Sequence, residues 1–167
     1  QPESWVEQIR LAAPMHDVGK IGIPDAILNK TGKLTAEERE LMKTHARIGF
    51  DILHDNSNSP LIEMAADIAL YHHEYWDGSG YPQGITGKEI PLSARIVAIC
   101  DVYDALRAKR PYKNPWTSTE ALNNLVVGAG THFDPELVSI FVSLHSEIED
   151  ILSKYQESPV AQLKRCG

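Results

Sequence analysis

Cysteine is scarce in this 167-residue chain. Cys100 and Cys166 are the two present, too few and too badly spaced for a disulfide framework or a thiolate zinc site, so a reducing, cytoplasmic setting is expected. Cys100 closes the apolar run Ile96-Val97-Ala98-Ile99-Cys100 and reads as a small buried hydrophobe. No apolar run approaches the roughly 20 residues that a membrane span requires, and no secretory signal opens the sequence. No membrane partner is expected. Positive charge is also short: 16 Lys and Arg face 23 Asp and Glu, for a formal net charge of -7. Nucleic-acid backbones are held chiefly by clustered cations, so DNA is excluded as a partner. An acidic chain that handles phosphate needs its charge locally reversed, and a bound divalent cation is often the largest charge in a site.

Alternating strand patterns are lacking too, and the fold class read from the chain is all-α. Helix starts punctuate it instead. Ser4 with Glu7 reads as a capping box, as do Thr35 with Glu38 and Thr117 with Glu120. Ser59-Pro60 and Asp134-Pro135 place a capping residue before a proline at the first helical position. Behind Thr35, Leu41, Met42, His45, Ile48, Gly49, Ile52 and Leu53 recur at three and four spacing, which predicts one amphipathic helix. The length suits a single domain, expected over 1–155 with a weakly patterned tail at 156–167.

Against this background six residues stand out as metal-ligand types at or near helix positions: His16, Asp17, His45, His72, His73 and Asp101. A lone His-Asp or His-His dipeptide is usually an ordinary capped or surface pair; the joint appearance is what matters. Adjacent helical residues splay by about 100°, so His16 and Asp17 point to different sides. That suits two ions better than one, with Asp17 as the bridging carboxylate. The assignment puts His16, Asp17 and Asp101 around one ion and Asp17, His45, His72 and His73 around the other. A nitrogen and oxygen set without sulfur is compatible with Fe, Mn, Zn or Ni and does not choose among them. His54, His132 and His145 lack ligand-type neighbours and read as structural or solvent-facing.

Between Tyr75 and Leu92 the composition changes to Trp76-Asp77-Gly78-Ser79-Gly80-Tyr81-Pro82, then Gly84, Gly87 and Pro91. No regular helix tolerates this, and a loop so long inside a compact domain is usually functional. Gly78 and Gly80 permit positive φ or close approach, and Pro82 stiffens the exit. Tyr75, Trp76 and Tyr81 either stack on a purine base or pack the loop onto the domain.

The segment His16-Asp17-Val18-Gly19-Lys20 resembles the HD superfamily of metal-dependent phosphohydrolases. The run His72-His73-Glu74-Tyr75-Trp76-Asp77-Gly78-Ser79-Gly80-Tyr81-Pro82 resembles the second motif of its HD-GYP subfamily, and here the likeness is highly specific. Asp101-Val102-Tyr103-Asp104-Ala105-Leu106, continuing to Arg110-Pro111-Tyr112-Lys113, does so as well. The resemblance implies an HD-domain helical bundle with a long GYP loop that hydrolyses cyclic di-GMP to pGpG or onward to GMP. It implies His16, Asp17, His45, His72, His73 and Asp101 as ligands of two or three divalent transition-metal ions. Asp17 and Lys20 take the catalytic roles, and Lys20, Arg110 and Lys113 are expected to contact substrate phosphate. Gly80, Tyr81 and Pro82 are linked to the substrate pocket and to partner proteins carrying diguanylate cyclase (GGDEF) domains. In such families an upstream receiver or sensor domain is common, and a further helix before this region supplies a His, and in trinuclear members a Glu. Only 15 residues precede His16, and Glu3 and Glu7 do not fit that motif. The chain is therefore expected to be cut on its N-terminal side, with an incomplete metal set of its own.

Metal ions at such a site lower the pKa of a water and neutralise phosphoryl oxygens, with Asp104 as a group that orients a ligand or anchors Arg110. Two competing readings remain: an inactive cyclic di-GMP receptor or docking module for GGDEF proteins, and an HD hydrolase of another nucleotide.

Overall fold

The computed structural model describes residues 1–54, 59–108 and 114–156, and among them the chain is all-helical apart from one isolated bridge between Ala129 and Phe133. The α-helices run in the order α1 Glu3–Ala12, α2 Asp25–Leu28, α3 Ala36–Lys43, α4 His45–His54, α5 Pro60–Tyr71, α6 Leu92–Arg107, α7 Ser118–Val127, α8 Pro135–Ser143 and α9 His145–Gln156. Short 3-10 turns stand at Ala13–Met15, Val18–Gly22 and Gly87–Glu89.

Most of the expected starts hold. Thr35 and Thr117 cap α3 and α7 through complete boxes with Glu38 and Glu120, and Asp134 caps α8 by accepting from the amides of Glu136 and Leu137. The first start differs: α1 begins at Glu3 with Pro2 at its cap, and Glu7 pairs instead with Arg10 one turn on. The single helix expected from Thr35 to Leu53 is two, divided at Thr44, whose hydroxyl donates back to the Leu41 carbonyl at 2.6 Å. Such back-bonding competes with the helical ladder and bends it.

The middle of the fold is α5, whose Ala65, Ala66, Ile68, Ala69 and Leu70 are buried. Its alanines let neighbours come close. α6 is shared by two apolar clusters. Val97 packs with Ala12, Ala65 and Ile68 in one, and Ile99 and Tyr103 pack with Ala121, Leu125, Phe133 and Val138 in the other. Fully burying a residue such as Leu125 stabilises by about 1.5–3 kcal/mol, so both clusters hold α6 firmly. Cys100 departs from expectation: it is exposed, because the inward face of this helix is set by Ile99 and Tyr103, four residues apart.

Gly19 explains how the turn after α1 meets α4. A Cβ there would collide with the His45 carbonyl and the Gly49 amide, so only glycine lets the Val18–Gly22 turn lie on the α4 backbone. This contact brings Asp17 beside His45.

Candidate metal centre

Four segments converge at one end of α5. His16 and Asp17 lie between the first two 3-10 turns, His45 is the first residue of α4, His72 caps the C-terminal end of α5 with His73 beside it, and Asp101 stands on α6. One ligand atom from each of Asp17, His45, His72 and His73 falls within 4.8 Å of the others. Asp17 presents its oxygens to different groups. Its Oδ1 is 3.5 Å from His45 Nε2 and 4.0 Å from His72 Nε2, whereas its Oδ2 is 3.3 Å from His16 Nε2, which is itself 3.7 Å from Asp101 Oδ1. All six candidate ligands are thus brought together, in two subsets that share Asp17.

The backbone fixes which imidazole nitrogen faces inward. His16 Nδ1 lies 2.8 Å from the Ala13 carbonyl, His45 Nδ1 2.7 Å from that of Met42, and His72 Nδ1 2.9 Å from that of Ile68. A carbonyl only accepts, so Nδ1 carries the proton and Nε2 keeps its lone pair for the pocket. His45 Nε2 and His72 Nε2 are buried there with no hydrogen-bond partner. An unpaired buried acceptor is costly, and imidazoles oriented by backbone carbonyls are the usual arrangement of metal-binding histidines. The residues present therefore fit a divalent cation.

Burial lowers the pKa of His45 and brings His72 to about 4 and His73 to about 2, with neighbouring imidazoles adding to the shift in the last two. These three stay neutral, as ligands must. His16 moves upward, because in its protonated form Nε2–H donates to the Asp17 carboxylate, which outweighs burial. For Asp17 burial opposes ionisation, yet His16 and Lys20 outweigh it and hold the carboxyl well below the usual carboxylate range. Burial, with the nearby charge of Asp17 adding to it, raises Asp101. The floor of the pocket is buried, with His45 and His72 at 1% and 2% exposure, and the rim is open at Asp17, Asp101 and Lys20. Lys20 reaches the site directly: its Nζ donates to Asp17 Oδ2 at 2.5 Å.

Of the loop residues, Tyr81 lines the pocket, its ring stacked on His73 at 4.7 Å and 6.5 Å from His45. Gly80 packs tightly against the backbone of residues 73–75, where a Cβ would find no room. Pro82, after a cis Tyr81-Pro82 bond, is exposed. Asp104 is exposed on α6. Arg110 and Lys113 lie outside the described residues, as do Cys166 and positions 157–167. His54 stacks on Phe50, His132 lies between Tyr75 and Phe133, and His145 meets Ser118 and Tyr103, so these three stand apart from the cluster.

Sequence reasoning missed two buried features beside the site. Glu74, 2% exposed, accepts from the amides of Gln83 and Gly84. Arg95 pairs with Asp134 at 2.6 Å and donates to the Ile90 carbonyl, tying α6 to the start of α8 and to the loop. The signal for Glu74 was a carboxylate directly behind the His-His doublet and ahead of a glycine-rich loop.

A family model described as HD domain matches residues 1–137. The chain is 50% identical over 155 residues to a cyclic di-GMP phosphodiesterase of Thermotoga maritima, covering 93% of this chain and 42% of that protein. It is 48% identical over 153 residues to the cyclic di-GMP phosphodiesterase response regulator RpfG of Xanthomonas campestris, covering 92% and 40%. It is 46% identical over 155 residues to 3'3'-cGAMP-specific phosphodiesterase 2 of Vibrio cholerae, covering 89% and 30%. The chain thus spans about two fifths or less of the length of these relatives. The crystal structure of a cyclic GMP-AMP-specific phosphodiesterase of V. cholerae superimposes with a TM-score of 0.66 at 22% identity, covering 97% of this chain and 43% of that one, a likeness that concerns the fold.

Proposed function

The chain belongs to the HD domain family, in its HD-GYP branch, and we propose that it hydrolyses the phosphodiester bonds of cyclic di-GMP to pGpG or onward to GMP. The observation that carries this reading is the pair of buried, unpartnered nitrogens, His45 Nε2 and His72 Nε2, aimed at a carboxylate whose two oxygens face different ligand subsets. His16, Asp17 and Asp101 would hold one divalent ion and Asp17, His45, His72 and His73 a second, with Fe, Mn, Zn and Ni all compatible with the donor set. When bound, such ions supply positive charge to phosphoryl oxygens and lower the pKa of a water near them.

The residues themselves do the arranging. Asp17 and Asp101 contribute two negative charges against about four positive ones of a divalent pair, so the pocket stays attractive to a phosphodiester. Lys20, at the rim, adds a cation within reach of Asp17, and Arg110 and Lys113 are assigned to further phosphate oxygens. Tyr81 offers an aromatic face beside His73 on which a purine can stack. Gly80 shapes the turn behind that face, and Pro82 lies on the exposed side of the loop, where partner proteins with GGDEF domains would meet it. An upstream receiver or sensor domain completes this reading, supported by the response-regulator name of the Xanthomonas relative. Residues 1–155 form the catalytic domain in this proposal and 156–167 its tail.

The test is metal content together with product analysis, using cyclic di-GMP and 3'3'-cGAMP on the native-length protein and on its Asp17→Ala variant. Linear product from the first nucleotide, lost in the variant, is expected. Preference for 3'3'-cGAMP would reassign the substrate. Tight binding without turnover by metal-loaded protein would make it a receptor, and undiminished turnover in Asp17→Ala would remove the metal assignment.

A further inference from the structure

Glu74 follows His72 and His73, just past the end of α5, yet takes no part in the ligand set. Its side chain is buried, and a buried polar group is costly unless it is hydrogen-bonded. Oε1 accepts from Gln83 N at 2.6 Å and from Gly84 N at 3.1 Å, and Oε2 lies 3.0 Å from Gly84 N. These amides come from residues nine and ten positions later, so the bonds fold the inner limb of the loop back onto the end of α5. Tyr81 N donates to the His73 carbonyl at 3.1 Å within that limb, and the bare Cα of Gly80 lets the two backbones touch. Tyr81 thereby lies flat on His73, 25° from coplanar, with Lys43 Nζ 5.5 Å from its ring centre.

The outer limb is anchored separately. Trp76 N and Asp77 N donate to the carbonyls of His132 and Thr131, and Gly87 N donates to that of Trp76. Without the Glu74 bonds the inner limb keeps, among the described residues, only the Tyr81 N to His73 carbonyl bond, while the outer limb keeps all of its own.

We infer that Glu74 is a positioning residue: it clamps the loop so that Tyr81 forms a fixed aromatic wall beside His73, ready to stack on a base of the substrate. The inference rests on the cyclic-dinucleotide reading for its consequence, though not for the clamp itself. Hydrogen exchange on the metal-loaded, nucleotide-free native-length protein reads the clamp. The amides of Gln83 and Gly84 should exchange about tenfold faster or more in Glu74→Ala, since their hydrogen bonds to the carboxylate are lost, and that of Tyr81 should follow as the limb holding it to the His73 carbonyl loosens. In Glu74→Gln, which keeps one acceptor oxygen, they should exchange at an intermediate rate. In the same two variants KM for cyclic di-GMP should rise about tenfold in Ala and less in Gln, with kcat within about threefold and metal content unchanged. Should Glu74→Ala fail to fold, Glu74→Gln carries the test. Unaltered exchange at the three amides overturns the clamp. Faster exchange with unaltered KM overturns its role toward substrate, and so does metal loss in step with activity. A wild-type protein that neither binds nor cleaves cyclic di-GMP defeats the functional reading and leaves the exchange result intact.

Discussion

Around Asp17, two buried imidazole nitrogens have no partner, whereas around Tyr103 buried and half-buried polar groups find one another. There the Tyr103 hydroxyl donates to Glu149 at 2.7 Å, Arg107 donates to Glu149 at 2.7 Å and to the Trp116 carbonyl at 2.8 Å, and His145 meets both Ser118 and Tyr103. Arg107 Nε is the exception, one unpaired nitrogen on a guanidinium otherwise bound at both ends. The second region satisfies its polar atoms from within, as a stabilising network must. The first leaves acceptors open in a place too buried for water to serve them freely. The two regions share the C-terminal half of α6, where Asp101 faces the candidate metal centre and Tyr103 and Arg107 face the stabilising network.

Substitutions in the two regions should therefore fail in opposite ways. The largest effect is expected at Asp17→Ala, which should lower turnover of the metal-loaded protein by at least about 1,000-fold, or ~4 kcal/mol of activation free energy. In metal-free protein its cost in urea denaturation should be about 1 kcal/mol or less, because the pair with Lys20 is a third exposed. Glu149→Ala should reverse the pattern, lowering unfolding free energy by about 2 kcal/mol through loss of the bonds to Tyr103 and Arg107, with turnover per folded molecule within about twofold of wild type. A collapse of turnover in Glu149→Ala would join the two regions into one functional unit.

Acid provides a finer probe of the Asp17 region. Burial holds His72 at about 4 against an ordinary value of 6.5, so the unfolded chain takes up a proton through the upper part of that interval while the folded pocket does not. The metal-free protein should lose stability as pH falls from 6.5 toward 4, by about 1.4 kcal/mol per unit from His72 alone. His16, whose pKa is raised by Asp17, works the other way: its contribution is full below 6.5 and fades as pH rises through its folded value. Urea midpoints measured across this range should show a slope shallower by about one proton in His72→Gln. An unchanged slope would mean that the imidazole is already protonated in the folded state. The smallest effect is expected at Tyr103→Phe, about 1 kcal/mol of stability for one hydrogen-bonding group, read by thermal or urea denaturation, with no change in metal content.

Much of the site was legible before any fold was known, because ligand chemistry is carried by residue type: His16-Asp17, His45, His72-His73 and Asp101 are costly to place at such positions without a use. Lys20 and Tyr81 were legible for the same reason and are found at the pocket. Pro82, linked by the resemblance to the substrate pocket and to partner proteins, is exposed. The capping boxes at Thr35 and Thr117 are local devices and were readable as such. The box at Ser4 was not, because Pro2 starts the helix two residues earlier, and Cys100 was placed inside by an apolar run whose inward face Ile99 and Tyr103 had already taken.

By itself the sequence determined the helical class and the inventory of candidate ligands, since each follows from residue identity and near-neighbour spacing, and its motifs carried the family resemblance. Tertiary structure alone decided that Asp17 turns one oxygen toward His45 and His72 and the other toward His16, because that depends on Gly19 lying against the backbone of a helix 26 residues further on. It alone decided, too, that Glu74 reaches the amides of Gln83 and Gly84. Contacts between distant segments are set by how helices pack, and packing is a property of the whole chain.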